Sequence, residues 1–296
     1  MQAPQAGLAS IGRALSVMRQ RHGADATHGL VPGLLLDPRS APGVAGRATS
    51  ARLAPAEPVP GELIRDFAGG RPAGPGGGIP DWVPAAALIS GERLDDLLAA
   101  AARRWDASPH AAAALAWKAY TYWLALPAVL GWASARRVPL LDPPDVAVHF
   151  ADHQPFLTLG LRRMRVAVLP SDPLADTGDP DVTVVESEER LRGVLRATLR
   201  TGHLDPLLAR IRTRVRLGER TLLGSLASGA AYGLVRGADA LPGPLVATVR
   251  TVLETLGVAE LVTLEPDGTS YLVRRHTCCL AFTLPQPKVC SGCCIR

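Results

Sequence analysis

All five cysteines of this 296-residue chain lie between residues 278 and 294, with none before them. The body of the chain must therefore hold itself together by packing alone, and any sulfur chemistry is confined to one end. Five thiols that include two adjacent pairs, Cys278-Cys279 and Cys293-Cys294, make a poor disulfide framework. The N-terminal stretch has no apolar run long enough for a secretory signal, so the expected location is cytoplasmic, where disulfides are rare.

Composition permits a real core: 47% of the residues are apolar and 20% charged, which excludes a disordered chain. The net charge of +5 is carried almost wholly by arginine, since Lys118 and Lys288 are the only lysines. Such a weak excess does not suggest a nucleic-acid partner, which needs a dense basic face. Leu115 to Ala133 is apolar enough to raise a membrane span. It contains Lys118 and Pro127 and has no partner span, so a buried helix is the expectation.

The fold class read from the pattern is α+β: a mostly helical body with short antiparallel hairpins and a small C-terminal segment. Three regions are expected. Residues 1–84 are a Gly/Pro-rich, partly irregular region with a short helix over 8–21. Its runs Gly69-Gly70 and Gly74-Pro75-Gly76-Gly77-Gly78 lack the strand and helix that a phosphate-cradling loop requires. Residues 85–273 form the α+β domain, and residues 274–296 the cysteine segment packed on it.

Within the domain, Ser90 is expected to cap a helix to Arg104, with Leu94, Leu97, Leu98 and Ala101 on one face. Ser108-Pro109 opens a second helix that Pro127 should kink or end. Val146–Phe150 and Phe156–Leu161 read as a hairpin turning at Asp152–Gln154, and Arg165–Leu169 as a further strand. Helices follow from Ser187, from Asp205-Pro206, over 222–235 (rich in small residues, suited to close packing) and over 243–256. A last hairpin pairs 261–264 with 270–273 around Pro266-Asp267-Gly268.

The cysteine segment has the spacing C-C-x10-C-x2-C, with Cys294 as one extra thiol. Four thiolates at two poles suit a tetrahedral zinc ion or an iron–sulfur cluster, and Cys290-x2-Cys293 alone could be a metal-free redox dithiol. Adjacent side chains on an extended strand diverge, which makes chelation of one metal atom awkward. A two-iron cluster is broader and tolerates that divergence better.

The segment resembles the ferric iron reductases of the FhuF type, which act on ferric siderophores. Cys278-Cys279-Leu280, Phe282, Leu284-Pro285 and Cys290-x2-Cys293 match the family's pattern C-C-L-x-(Y/F)-x-L-P…C-x-x-C. A softer likeness runs from Gly218 and Arg220 through Leu222, Gly224, Ala227 and Ser228. The specific part covers about 25 residues, and the softer likeness extends over roughly 90–296. Cys294 departs from the pattern, standing where family members often carry proline. The resemblance implies a [2Fe-2S] cluster ligated by Cys278, Cys279, Cys290 and Cys293. It implies an oxidoreductase that passes one electron to a ferric siderophore and releases Fe(II). The alternatives are a non-enzymatic metal-binding protein with a structural zinc or cluster, or an electron-transfer protein of a biosynthetic pathway.

Such a reduction needs no catalytic acid, base or nucleophile. Arg274, Arg275, His276, Lys288 and Arg296 flank the cysteines in sequence and are candidates for tuning the potential or contacting a partner; solvated strand ends are the plainer reading. One cation at about 8 Å, at an effective dielectric of about 20, contributes roughly 2 kcal/mol, on the order of 90 mV. No nicotinamide, flavin or nucleotide fingerprint occurs, so electrons are expected from a separate protein: a ferredoxin, flavodoxin or reductase. The arginines from Arg190 to Arg220 could attract an acidic siderophore or partner, or simply cover helix faces. His149 and His153 form an H-x3-H pair, but across a hairpin that spacing does not share one face. Trp105, Trp117, Trp123 and Trp132 read as core.

Overall fold

The structure, a computed structural model, describes residues 3–36, 82–151 and 155–295. The glycine runs at 69–78, the 152–154 turn with His153, and Arg296 lie outside the described residues. Helices dominate and strands are short, as the α+β reading requires. No described helix is long and apolar enough to cross a membrane.

The architecture is organised around one helix. After α1 (Ala3–His22), β1 (Leu30–Leu35), β2 (Val83–Pro84), α2 (Ala85–Ser90) and α3 (Leu94–Trp105) comes α4, Pro109–Ala135. At 1.5 Å per residue α4 is roughly 40 Å long. Ser108 Oγ accepts from Ala111 N at its start, and every residue from Ala111 to Ala133 is buried. A helix apolar all round must be enclosed on all sides. Accordingly α1, α3, β5 and a later helix pack on it.

Pro127 does not end α4, contrary to the expectation. An interior proline costs about 3 kcal/mol. The turns beyond it bury Leu130 and Trp132, each contributing about 1.5–3 kcal/mol, so packing wins. The helix stops at Arg136, in the left-handed region, whose guanidinium lies 4.4 Å over the Trp132 ring. Ser90 is likewise not an N-cap. It closes α2, Gly91 (φ 93°) reverses the chain, and α3 begins at Leu94.

Strands β3 (Val138–Pro139), β4 (Val146–Phe150), β5 (Leu157–Leu161), β6 (Val166–Val168) and β7 (Val182–Val184) build two small sheets. The first has the order β1-β5-β4-β2, with the expected β4–β5 hairpin in register Val146↔Leu161 to Phe150↔Leu157. The second is β3-β6-β7. Both contain a parallel pair, β1 on β5 and β6 on β7, which a hairpin reading does not supply. The described part of the N-terminal region is thus ordered: Leu30 and Leu34 of β1 and Ile11 and Met18 of α1 join the common core.

Next come α5 (Glu188–Arg196), a π-helical stretch (Ala197–Leu204) and α6 (Asp205–Arg214). Ser187 caps α5 through Arg190 N. Asp205-Pro206 opens α6 as expected, with proline in its first turn, but with no break after the π segment, because Asp205 already has helical dihedrals. Such segments inside helices often mark special sites. Here it carries His203, wholly buried, whose Nδ1 donates to the Leu141 carbonyl at 2.7 Å while Nε2 accepts from Tyr120 Oη at 2.6 Å. Burial holds this imidazole near a pKa of about 4.

The chain ends with α7 (Glu219–Arg236), α8 (Leu245–Leu256), the hairpin β8 (Val262–Asp267) and β9 (Ser270–Arg275), and the cysteine segment. The small residues of α7 do permit close approach to α4: a Cβ on Gly233 would lie 2.8 Å from Leu126 Cδ1.

Candidate metal centre

β9 delivers the chain into the cysteines, and alternation along it separates the two arginines expected to flank them. Arg274 reaches across the hairpin to Glu265 (2.9 Å), whose carboxyl those hydrogen bonds hold below its ordinary pKa. Arg275 points inward and is 2% exposed. Its Nη2 donates to Ser225 Oγ on α7 (3.0 Å) and its Nε to the Thr277 carbonyl (3.2 Å), while Nη1 is buried with no hydrogen-bond partner.

Two glycines let this junction close. A Cβ on Gly224 of α7 would sit 1.8 Å from Thr277 Oγ1, so α7 meets the segment at a residue with no side chain. A Cβ on Gly292 would sit 1.9 Å from the Val273 carbonyl oxygen. There the 290–293 turn lies directly on β9, held by Arg275 N donating to the Gly292 carbonyl at 2.8 Å and by Cys293 N donating to the Cys290 carbonyl at 3.1 Å. Leu280 turns the chain after Cys279 with φ 64°, a left-handed conformation uncommon for a branched residue, and its N–H donates to Cys278 Sγ at 3.3 Å.

This frame brings the two cysteine poles together. Cys279, Cys290 and Cys293 are buried, Cys278 is half-buried and Cys294 is exposed. The side chains of Cys279 and Cys290 hydrogen-bond to each other. That bond, aided by Lys118 and Arg275, draws Cys279 toward the thiolate, and it pushes the Cys290 thiol up. Burial raises Cys278 and Cys294. Beside Cys279 and Cys290 lies a cavity of about 20 Å³, closed by Trp105, Leu115, Leu284 and both lysines of the chain, Lys118 and Lys288.

Lys118 is the residue that sequence reasoning missed. It is 8% exposed on the central helix, and its Nζ lies 4.0 Å from Cys279 Sγ. Its signal was visible as a lone charge inside an apolar helix, where it served only as an argument against a membrane span. The flanking cations otherwise divide. Arg275 and Lys288 stand at the cysteines. Arg274 is paired with Glu265, and His276 is tied to the Glu260 carbonyl (2.7 Å) and Thr263 Oγ1 (2.8 Å).

Several of the other candidates have structural partners. Arg200 binds Asp205 and the Leu256 carbonyl, Arg212 binds Glu219, Arg214 binds Asp95, and Arg210 binds the Ile89 carbonyl. His149 packs on Trp82. Trp105, Trp117, Trp123 and Trp132 are all buried, and Trp117 Nε1 donates to the Leu222 carbonyl.

The residues suit a sulfur-ligated group. The donor set is thiol only, it is sheltered from water, and buried cations with an unsatisfied guanidinium nitrogen stand ready to offset anionic sulfur. Among the described residues no three His, Cys, Asp or Glu side chains form a group that could hold a single metal ion. No protein-family model matches the chain, and neither does any curated protein sequence.

Proposed function

We propose that this protein is a ferric-siderophore reductase in which Cys278, Cys279, Cys290 and Cys293 hold a [2Fe-2S] cluster. The observation that carries the reading is the packing of the two cysteine poles against each other beside two buried cations, Lys118 and Arg275. The likeness of the C-C-L…L-P…C-x-x-C segment to the FhuF-type reductases supplies the substrate class.

When bound, such a cluster supplies a one-electron donor. The chain's own groups suit that task. Lys118 and Arg275 offset the negative charge that reduction adds at the sulfurs, and the Leu280 N–H does the same at Cys278. The Cys279–Cys290 side is closed by a cavity with room for about one water molecule, whereas half-buried Cys278 and exposed Cys294 mark the side open to a bulky complex. The substrate iron is held tightly as Fe(III) by hard oxygen donors and weakly as Fe(II). One electron therefore frees it without breaking any organic bond, and no acid, base or nucleophile is required. Electrons come from a separate protein, a ferredoxin, flavodoxin or reductase, and the reaction runs in the cytoplasm.

Anaerobic purification followed by iron and acid-labile sulfide analysis tests the proposal, with EPR after dithionite reduction. Equal iron and sulfide with a reduced-state signal, and oxidation of that signal by ferric siderophores in stopped flow, are expected. Zinc without sulfide would make the segment a structural staple and overturn it.

A further inference from the structure

We infer that the four ligands pair across the two segments: Cys279 with Cys290 on one iron, and Cys278 with Cys293 on the other. The inference rests on the cluster reading above and adds to it which sulfurs share a metal. The divergence of adjacent side chains already argues against Cys278 and Cys279 sharing a metal, and the structure bears on which of Cys290 and Cys293 each takes.

Burial, the lining of one cavity and exposure together point to the crossed arrangement. Cys279 and Cys290 come from different segments, yet each is 4% exposed and each bears on the other's ionisation. The same two thiols line the small cavity together with Lys118 and Lys288, whereas Cys278 and Cys293 do not line it. Cys278 instead stands half-buried on the more open side, where Cys293 and Cys294 of the other segment both interact with it electrostatically. The backbone explains why. Side chains of successive residues in an extended chain point to opposite sides, so Cys278 and Cys279 address different places. The turn pinned at Gly292 holds Cys290 at the cavity that Cys279 lines, which leaves Cys293 for Cys278.

Each iron thus takes one ligand from each segment. Cys279 and Cys290 would hold theirs beside the cavity that Lys118 and Lys288 also line, and half-buried Cys278 with Cys293 would hold the other.

Mössbauer spectroscopy of the one-electron-reduced, full-length protein separates the two iron sites. Single Cys→Ser variants at 278, 279, 290 and 293 should fall into two classes by which iron subspectrum they alter. C279S should group with C290S, and C278S with C293S. Grouping of C278S with C279S, or of C290S with C293S, would overturn the pairing.

Where a serine variant fails to retain iron, the iron-free wild-type chain gives a second reading. Under glutathione disulfide, each protein disulfide formed consumes two thiols and releases two glutathione thiols. Mapping should find Cys279–Cys290 and Cys278–Cys293 cross-links. Vicinal Cys278–Cys279 or Cys290–Cys293 bonds would overturn the proposal. Absence of iron and sulfide from the purified protein sinks the cluster reading instead, while the cross-link pattern still judges the pairing.

Discussion

Lys118 Nζ lies 4.0 Å from Cys279 Sγ, joining the middle of the most enclosed helix to the cysteine segment across 161 residues of sequence. A fixed positive charge at that distance stabilises the more negative, reduced state. Replacing Lys118 by Met should therefore lower the midpoint potential by on the order of 100 mV, with Lys118→Arg closer to the parent. An EPR-monitored redox titration measures it, and an unchanged potential in Lys118→Met would remove the lysine from the tuning scheme.

Arg275 carries charge and structure together, and two substitutions separate them. Removing a buried, hydrogen-bonded guanidinium should destabilise the fold by roughly 2–4 kcal/mol in Arg275→Ala. Arg275→Lys keeps the charge but cannot bridge Ser225 Oγ and the Thr277 carbonyl. It should lose stability to urea while keeping a near-parental potential; Arg275→Ala should lose both.

Gly292 has no room for a methyl group, because the Val273 carbonyl oxygen occupies that place. Gly292→Ala should lift the 290–293 turn from β9, break the Arg275 N to Gly292 carbonyl bond and release iron on gel filtration, with helix content intact by circular dichroism. Gly193→Ala, on α5 with open space around it, is the control and should retain iron. Equal retention by both variants would show that the turn is not seated as described.

His203 gives the fold an acid limit. Its pKa is about 4 in the fold against 6.5 for an unperturbed histidine, because burial disfavours the charged ring. Between those values the unfolded chain binds the extra proton, so stability falls as pH drops from 6.5 toward 4, by roughly 3 kcal/mol in total. His22 and His28 are shifted the same way, chiefly by burial, and steepen the slope. Urea titrations across this range should show the decline and a shallower slope in His203→Gln; an identical slope would assign the effect elsewhere.

The helical body, both hairpins and the burial of the tryptophans were legible because periodicity reports which face of an element is covered. Boundaries were less so. Pro127 is outvoted by the packing beyond it, and Ser90 is displaced as a cap because Gly91 reverses the chain first. The four cysteines and Arg275 were visible as a cluster in sequence. Lys118 was not, since nothing local marks which distant segment a helix residue will meet. The parallel pairing of β1 with β5 escaped for the same reason, since Leu30 meets Leu159 from a distant part of the sequence.

The placing of the chain's only two lysines at the Cys279–Cys290 cavity has a practical consequence. A protease that cuts solely after lysine divides the chain into three pieces, parting Cys278 and Cys279 from Cys290, Cys293 and Cys294. A bond across the two halves of the site leaves the last two pieces joined after digestion; a bond within either half lets them separate. The residues that neutralise the site thus also make its connectivity readable from peptide masses.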